Sequence, residues 1–328
     1  MDNRIRTGGL AVLVTVWVVV TAGAGAGVTY GLLSDEATAS GTIQIEVGSA
    51  TPPDGEAYND ANGNGRYDEG ETTYSADELA DFNDPSANLV IPESVESIEE
   101  QNDDIQIRAS SISYNGTVES QNGDVSLTAV NGDIIVDGAA LDSQNGQVVL
   151  DAQSGGISLT DGTITAQNND FSLSAQESVN LTGTTVDLQN GNVQVTTSGY
   201  LSIDGAQISA ANNHISLRAR EISAKDAYVS SSNNYVRLSA TRNGGGYLDV
   251  TSSTLSSQNN DITLESNGDI RANDSSIETK NGAVTADLGI TEATLYLDGA
   301  TIEDGDDAIA YQPNGIRVVP SDGPATGS

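Results

Sequence analysis

Residues 120–127 read SQNGDVSL: a polar corner, Gln-Asn-Gly, and then a stretch in which apolar and polar residues alternate. The same shape returns as SQNGQVVL from 143, AQNNDFSL from 166, LQNGNVQV from 188, AANNHISL from 210, SSNNYVRL from 231 and SQNNDITL from 257. Aligned corners start at 101, 121, 144, 167, 189, 211, 232, 258 and 280, so the interval is 20 to 26 residues. The second corner position is asparagine every time: Asn102, Asn122, Asn145, Asn168, Asn190, Asn212, Asn233, Asn259 and Asn281. The next position is mostly glycine or asparagine, residues that tolerate left-handed backbone.

After each corner an inward column is expected, running from Ile105 and Val125 through Phe171 to Val284. A second column lies two residues on, from Ile107 and Leu127 to Ala286. Most repeats then supply an apolar pair, such as Ile134/Val136, Ile157/Leu159, Val179/Leu181 and Leu201/Ile203. A single apolar residue follows about five positions later, as at Leu141, Ile164, Val186 and Ile208. Alternation with period two marks strands, and helix formers at helical spacing are absent. Repeats that each bury one edge must stack to complete a core. The reading is all-β: a single-stranded parallel β-solenoid (β-helix) of about 9–10 rungs of ~22 residues, spanning 101–320. Rungs about 4.8 Å apart would stack the asparagines and let each amide donate to the next at a buried corner.

These repeats resemble the filamentous-haemagglutinin type of surface exoprotein and adhesin. That resemblance implies adhesion, with carbohydrate, other surface or matrix components, or self-association as partners. Bactofilin-like cytoskeletal solenoids share the period but are cytosolic and would not need the leader described next.

Arg4 and Arg6 precede an uncharged apolar run, GGLAVLVTVWVVVTAGAGAGVTYGLL, with small residues at Ala22, Ala24 and Ala26. This pattern predicts a signal peptide or N-terminal membrane anchor over 1–27, and an extracellular or cell-surface location for the rest. The junction beyond it holds Thr29-Tyr30, Ser34-Asp35 and ASGTIQI at 39–45. It resembles the start of the camelysin/TasA-like secreted proteins with SipW-type signal peptides, although Leu33 stands where that family carries an aromatic residue. The resemblance implies a surface or extracellular-matrix destiny, not a shared jelly-roll fold.

Composition narrows the partners. The chain has 328 residues, 47 acidic against 12 basic, a net charge of −35 and no cysteine. Such charge argues against nucleic acid and anionic membrane surfaces. The balance resembles that of proteins from extreme halophiles, whose self-repulsion is screened in molar salt.

Residues 60–71, DANGNGRYDEGE, fit the EF-hand-like spacing D-x-[DN]-x-[DN]-G-x5-E. Asp60, Asn62, Asn64, Asp68 and Glu71 supply side-chain oxygens, Arg66 its carbonyl, and Gly65 the sharp turn, so Ca2+ is the expected cofactor. No amphipathic helix clearly precedes the loop, so it resembles the dockerin-type structural clips more than a sensor. It lies in a predicted N-terminal segment, 28–100, of strand, calcium loop and cap or linker; 321–328 is expected to be a disordered tail.

No catalytic residue is assigned, and the chain is expected to be a non-catalytic secreted or cell-surface structural or adhesive protein. Two alternatives stay open: a carbohydrate-active solenoid enzyme and a polymerising filament subunit. Candidate carboxylate stacks for the enzyme are Asp137 with Asp161 and Asp204 with Asp226, which read equally as turn formers. The sole histidine, His214, is expected to face solvent, and the largest excursion is TRNGGGY at 241–247. Asn115, Asn180 and Asn273 head glycosylation sequons.

Overall fold

The computed structural model describes residues 50–114, 116–241, 246–304, 308–312, 316–320 and 324–327. The predicted leader, the 39–45 junction, the sequon Asn115, most of the 241–247 excursion and residues 321–323 and 328 lie outside them. The expected disordered tail is corrected in its described part, where Ala325–Gly327 is a strand parallel to Ile309–Gln312.

A β-solenoid is what the repeat builds. Each turn uses three short strands, as in Val125–Ala129, Ile134–Ile135 and Ala140–Ser143. Every strand pairs in parallel with its counterpart one turn away, so Val148 sits against Val125 below and Phe171 above. The third strands form a separate ten-stranded sheet running from Ser97–Glu100 to Thr301–Glu303.

The inward columns are apolar at every step. Val125, Val148, Phe171, Val193, Ile215, Val236, Ile262 and Val284 are all fully buried. Each such side chain contributes about 1.5–3 kcal/mol by leaving water, and each does so only because a neighbouring rung covers it. The second-strand pairs continue through repeats where they were harder to read: Ile222/Ala224 and Ile270/Ala272 are also buried.

Parallel stacking begins ahead of the first asparagine corner. Strand Asp81–Ile91 pairs with Ile105–Tyr114, and Ser97–Glu100 with Thr117–Ser120, so residues 81–100 form a rung. Its open edge is met by an antiparallel pair, Glu56–Asn59 with Thr73–Ser75. A one-turn helix, Ala76–Leu79, follows; the Glu78 carboxylate accepts the amide and hydroxyl of Ser75, and Leu79 is fully buried in the core. Tyr74 packs edge-on against Phe82 at 4.8 Å beside it.

Candidate functional site

The asparagine corner is a continuous ladder. Each Nδ2 donates to the Oδ1 of the asparagine one rung below, from Asn122 onto Asn102 up to Asn281 onto Asn259, in eight bonds of 2.7–3.1 Å. Most of these amides also reach a carbonyl of the rung below, as Asn190 does to Gln167 at 3.2 Å.

Two expectations about this corner need correction. The ladder is solvent-exposed rather than buried, so water competes for its bonds. Its residues also do not take left-handed backbone. Positive φ recurs instead at a different corner, after the second strand: Gly138, Asp161, Gly183, Gly205, Asp226, Ser252, Asp274 and Gly299, with φ between 53° and 70°. Glycine at the asparagine corner answers to crowding: a Cβ on Gly146 would fall 2.0 Å from the Gly123 carbonyl.

Sequence reading missed a second ladder behind the asparagines. Ser143 is fully buried; its hydroxyl accepts the Gly146 amide at 2.8 Å and donates to the Gly123 carbonyl one rung down at 3.1 Å. Ser120, Ser231, Ser257 and Thr279 repeat that pattern. The available signal was a small hydroxyl two residues before the ladder asparagine, interrupted where Ala166, Leu188 and Ala210 stand.

The 60–71 loop curls as its spacing requires. Gly63, Gly65 and Gly70 have positive φ, and the buried Asp60 carboxylate accepts the amides of Asn64 at 3.1 Å and Gly65 at 2.7 Å. Asn62 and Asn64 both donate Nδ2 to the Asp68 carboxylate, at 2.7 and 2.8 Å, so three of the expected ligand side chains meet at one point. Glu71 is folded back onto the amides of Ala61 and Asp68, both at 3.0 Å. The donor set is hard oxygen, as calcium prefers. Among the described residues no group of three or more His, Cys, Asp or Glu is drawn together as a metal centre. The loop thus fits in residue identity and curl, while its two end carboxylates hold backbone amides.

The proposed carboxylate stacks are out of register by one residue. Gly138 donates its amide to Thr160, and Gly205 to Lys225, so Asp137 lies over Thr160 and Asp204 over Lys225. Asp137 accepts the Thr160 hydroxyl at 2.5 Å, and Asp204 accepts the Ser223 hydroxyl and the Lys225 amide at 2.6 and 2.8 Å. Many acids serve the next rung in this way: Asp124 accepts the Gln147 amide, Asp133 that of Gly156, and Asp269 that of Thr294. These carboxylates satisfy turn amides that the ladder of strand bonds leaves over.

One carboxylate stands apart. Asp249 is 3% exposed and holds the Tyr247 hydroxyl at 2.9 Å, the Thr251 hydroxyl at 2.6 Å and Lys225 at 3.5 Å. Burial would raise its carboxyl, but those hydrogen bonds and the lysine outweigh it and hold the group below the usual range. The Tyr247 phenol is pushed up to about 12 by burial and by that carboxylate.

His214 is half-buried, not simply turned to solvent. It stacks on Tyr235 of the next rung at 4.7 Å and 11°, and burial lowers its pKa. Asn180 uses its side-chain oxygen to accept the Thr182 amide and hydroxyl, and Asn273 accepts the Asp298 amide.

No protein-family model, curated protein or solved structure matches this chain.

Proposed function

We propose that this chain is a non-catalytic structural or adhesive protein of the cell surface or extracellular matrix of a halophile. The observation that supports it is the unbroken run of eight asparagine bonds along the stack. A column of identical amides joins each rung to the next and offers no acid, base or nucleophile for chemistry, so its product is a stiff rod with regular faces. Proteomics of surface and culture-medium fractions should recover solenoid peptides there, and electron microscopy should show discrete rods. Recovery only from cytosol would overturn the surface reading.

A carbohydrate-active solenoid enzyme remains the second reading, and the buried Asp249 beside Tyr247 and Lys225 favours it. Release of reducing ends from polysaccharide that is lost in Asp249→Asn would decide for it.

The loop from Asp60 to Glu71 acts in the proposed reading as a calcium clip on the N-terminal end. Support comes from the meeting of Asn62, Asn64 and Asp68; turning the two amides to present oxygen would exchange the bonds their oxygens accept from the Asn64 and Arg66 amides for the ion. Bound calcium would supply charge neutralisation and a cross-link within the loop. Calorimetry at millimolar calcium and moderate salt should give binding heat that Glu71→Gln strongly reduces. Equal heats for the two proteins would remove the clip from the proposal.

A further inference from the structure

Outward positions on the second strands are mostly small and polar, as at Ser158, Asn180 and Ser202. Between Tyr200 and Tyr296 they change character. Tyr200 pairs with Glu221 of the next rung; Ile222, which follows Glu221, pairs with Leu248, which places Tyr247 over Glu221. Two rungs further lies Tyr296, in the adjacent outward column that runs through Asp249 and Arg271. Tyrosines thus occupy every second rung, about 9.6 Å apart along the axis, with Tyr296 set one outward position across the sheet from Tyr200 and Tyr247.

The strip is organised between its rings. The Arg271 guanidinium lies 5.3 Å from the centroids of both Tyr247 and Tyr296, joining the two rings. Arg271 is exposed, and among the described residues no carboxylate is within ion-pair distance of it. Its register neighbour Asp249 is turned instead to Lys225, Thr251 and Tyr247. Stacked in this way, a guanidinium keeps its edge donors free in a fixed plane. Tyr200 is 40% exposed, and Glu221, whose Oε1 lies 3.6 Å from Arg220, stands between it and Tyr247 with Oε2 as an acceptor.

We propose that this strip binds an extended neutral polysaccharide lying along the solenoid axis. Pyranose rings present apolar C–H faces that stack on aromatic rings, and a two-rung repeat is on the scale of a disaccharide in an extended chain. Ring hydroxyls accept from the Arg271 edge and donate to Glu221. A net charge of −35 disfavours a polyanionic chain, and one unpaired guanidinium does not reverse that. The assignment rests on the adhesive reading for its setting and gives it a partner class.

Affinity electrophoresis through gels containing hydroxyethylcellulose, xylan, glucomannan or polygalacturonate tests it. At least one neutral gel should retard the protein. Tyr200→Ala and Arg271→Ala should each weaken that retardation about three- to ten-fold. Tyr228→Ala, which removes a 45% exposed ring from the third-strand sheet, should leave it unchanged. Tyr200 touches solvent, so its loss should leave the thermal transition in place and keep the test valid if Arg271→Ala perturbs packing. No retardation in neutral gels, retardation in polygalacturonate alone, or an equal loss in Tyr228→Ala would each overturn the proposal. The surface reading would survive all three, because localisation is measured separately.

Discussion

Each rung turns at an asparagine corner and at a left-handed corner, and the two solve the same problem by different means. At the first, identical side chains bond to one another, so the sequence must repeat the residue. At the second, only the backbone dihedral repeats, and glycine, aspartate and serine all supply it. Stacking through side chains constrains identity; stacking through conformation constrains only a class of residues.

The largest effect should come from attacking the second corner. At Gly183 a Cβ would lie 2.2 Å from the Asp161 carboxylate oxygen of the rung below, whereas at Gly205 nothing lies within 4 Å. Both have φ near 70°. Gly205→Val therefore isolates the conformational cost, about 1–2 kcal/mol. Gly183→Val meets in addition only the tip of the exposed Asp161 side chain, which can rotate away, so the two variants should cost about the same. Hydrogen exchange of the flanking rungs should show both opened to a similar degree, since repeat stability is set by nearest neighbours. A much larger opening in Gly183→Val would mean that side-chain crowding, rather than the dihedral, governs this corner.

Within the asparagine corner, the hidden ladder should outweigh the visible one. Ser143→Ala leaves the buried Gly146 amide and Gly123 carbonyl without their partner, at about 1–3 kcal/mol. Asn190→Ala breaks bonds to Asn168, Asn212 and Gln167, but water reaches the exposed groups left behind, so about 0.5–1.5 kcal/mol is expected. Denaturant unfolding of the two variants compares them directly. A larger loss for Asn190→Ala would show that the amide column behaves as a cooperative unit.

The fold was legible because the inward columns and the asparagines repeat by identity. Phe171, Leu173 and Asn190 could be placed on a rung from spacing alone. The left-handed corner was not, since Asp161, Gly183 and Ser252 share a φ angle and no chemistry. That blind spot caused the one-residue error in the acid stacks: Asp137 and Asp161 look equivalent as letters, while Gly138 is the true counterpart of Asp161. The Tyr247–Arg271–Tyr296 arrangement was hidden for another reason, because it joins residues of two different outward columns on three rungs. The calcium loop was legible as spacing, but the engagement of Asp60 and Glu71 with backbone amides is a matter of geometry.

Correcting the register also relocates the charge that salt should relieve, and this gives the smallest effect per pair. Glu99, Glu119 and Asp142 occupy one outward column on three successive rungs. Two unit charges about 4.8 Å apart repel by roughly 0.9 kcal/mol in unscreened water. At molar salt, with a Debye length near 3 Å, about one fifth of that remains. Glu119 has an acidic neighbour on each side, so Glu119→Gln should raise the thermal midpoint at about 0.1 M KCl and lose that advantage by about 2 M. Asp137→Asn and Asp204→Asn should not raise it, because those carboxylates hold hydroxyls and an amide of the next rung instead of facing another acid. The wild-type midpoint should climb across the same range, driven by many such weak repulsions over a chain of net charge −35. A midpoint flat in salt for the wild type would refute the halophilic reading, and a gain from Asp137→Asn equal to that from Glu119→Gln would refute the register that separates the two columns.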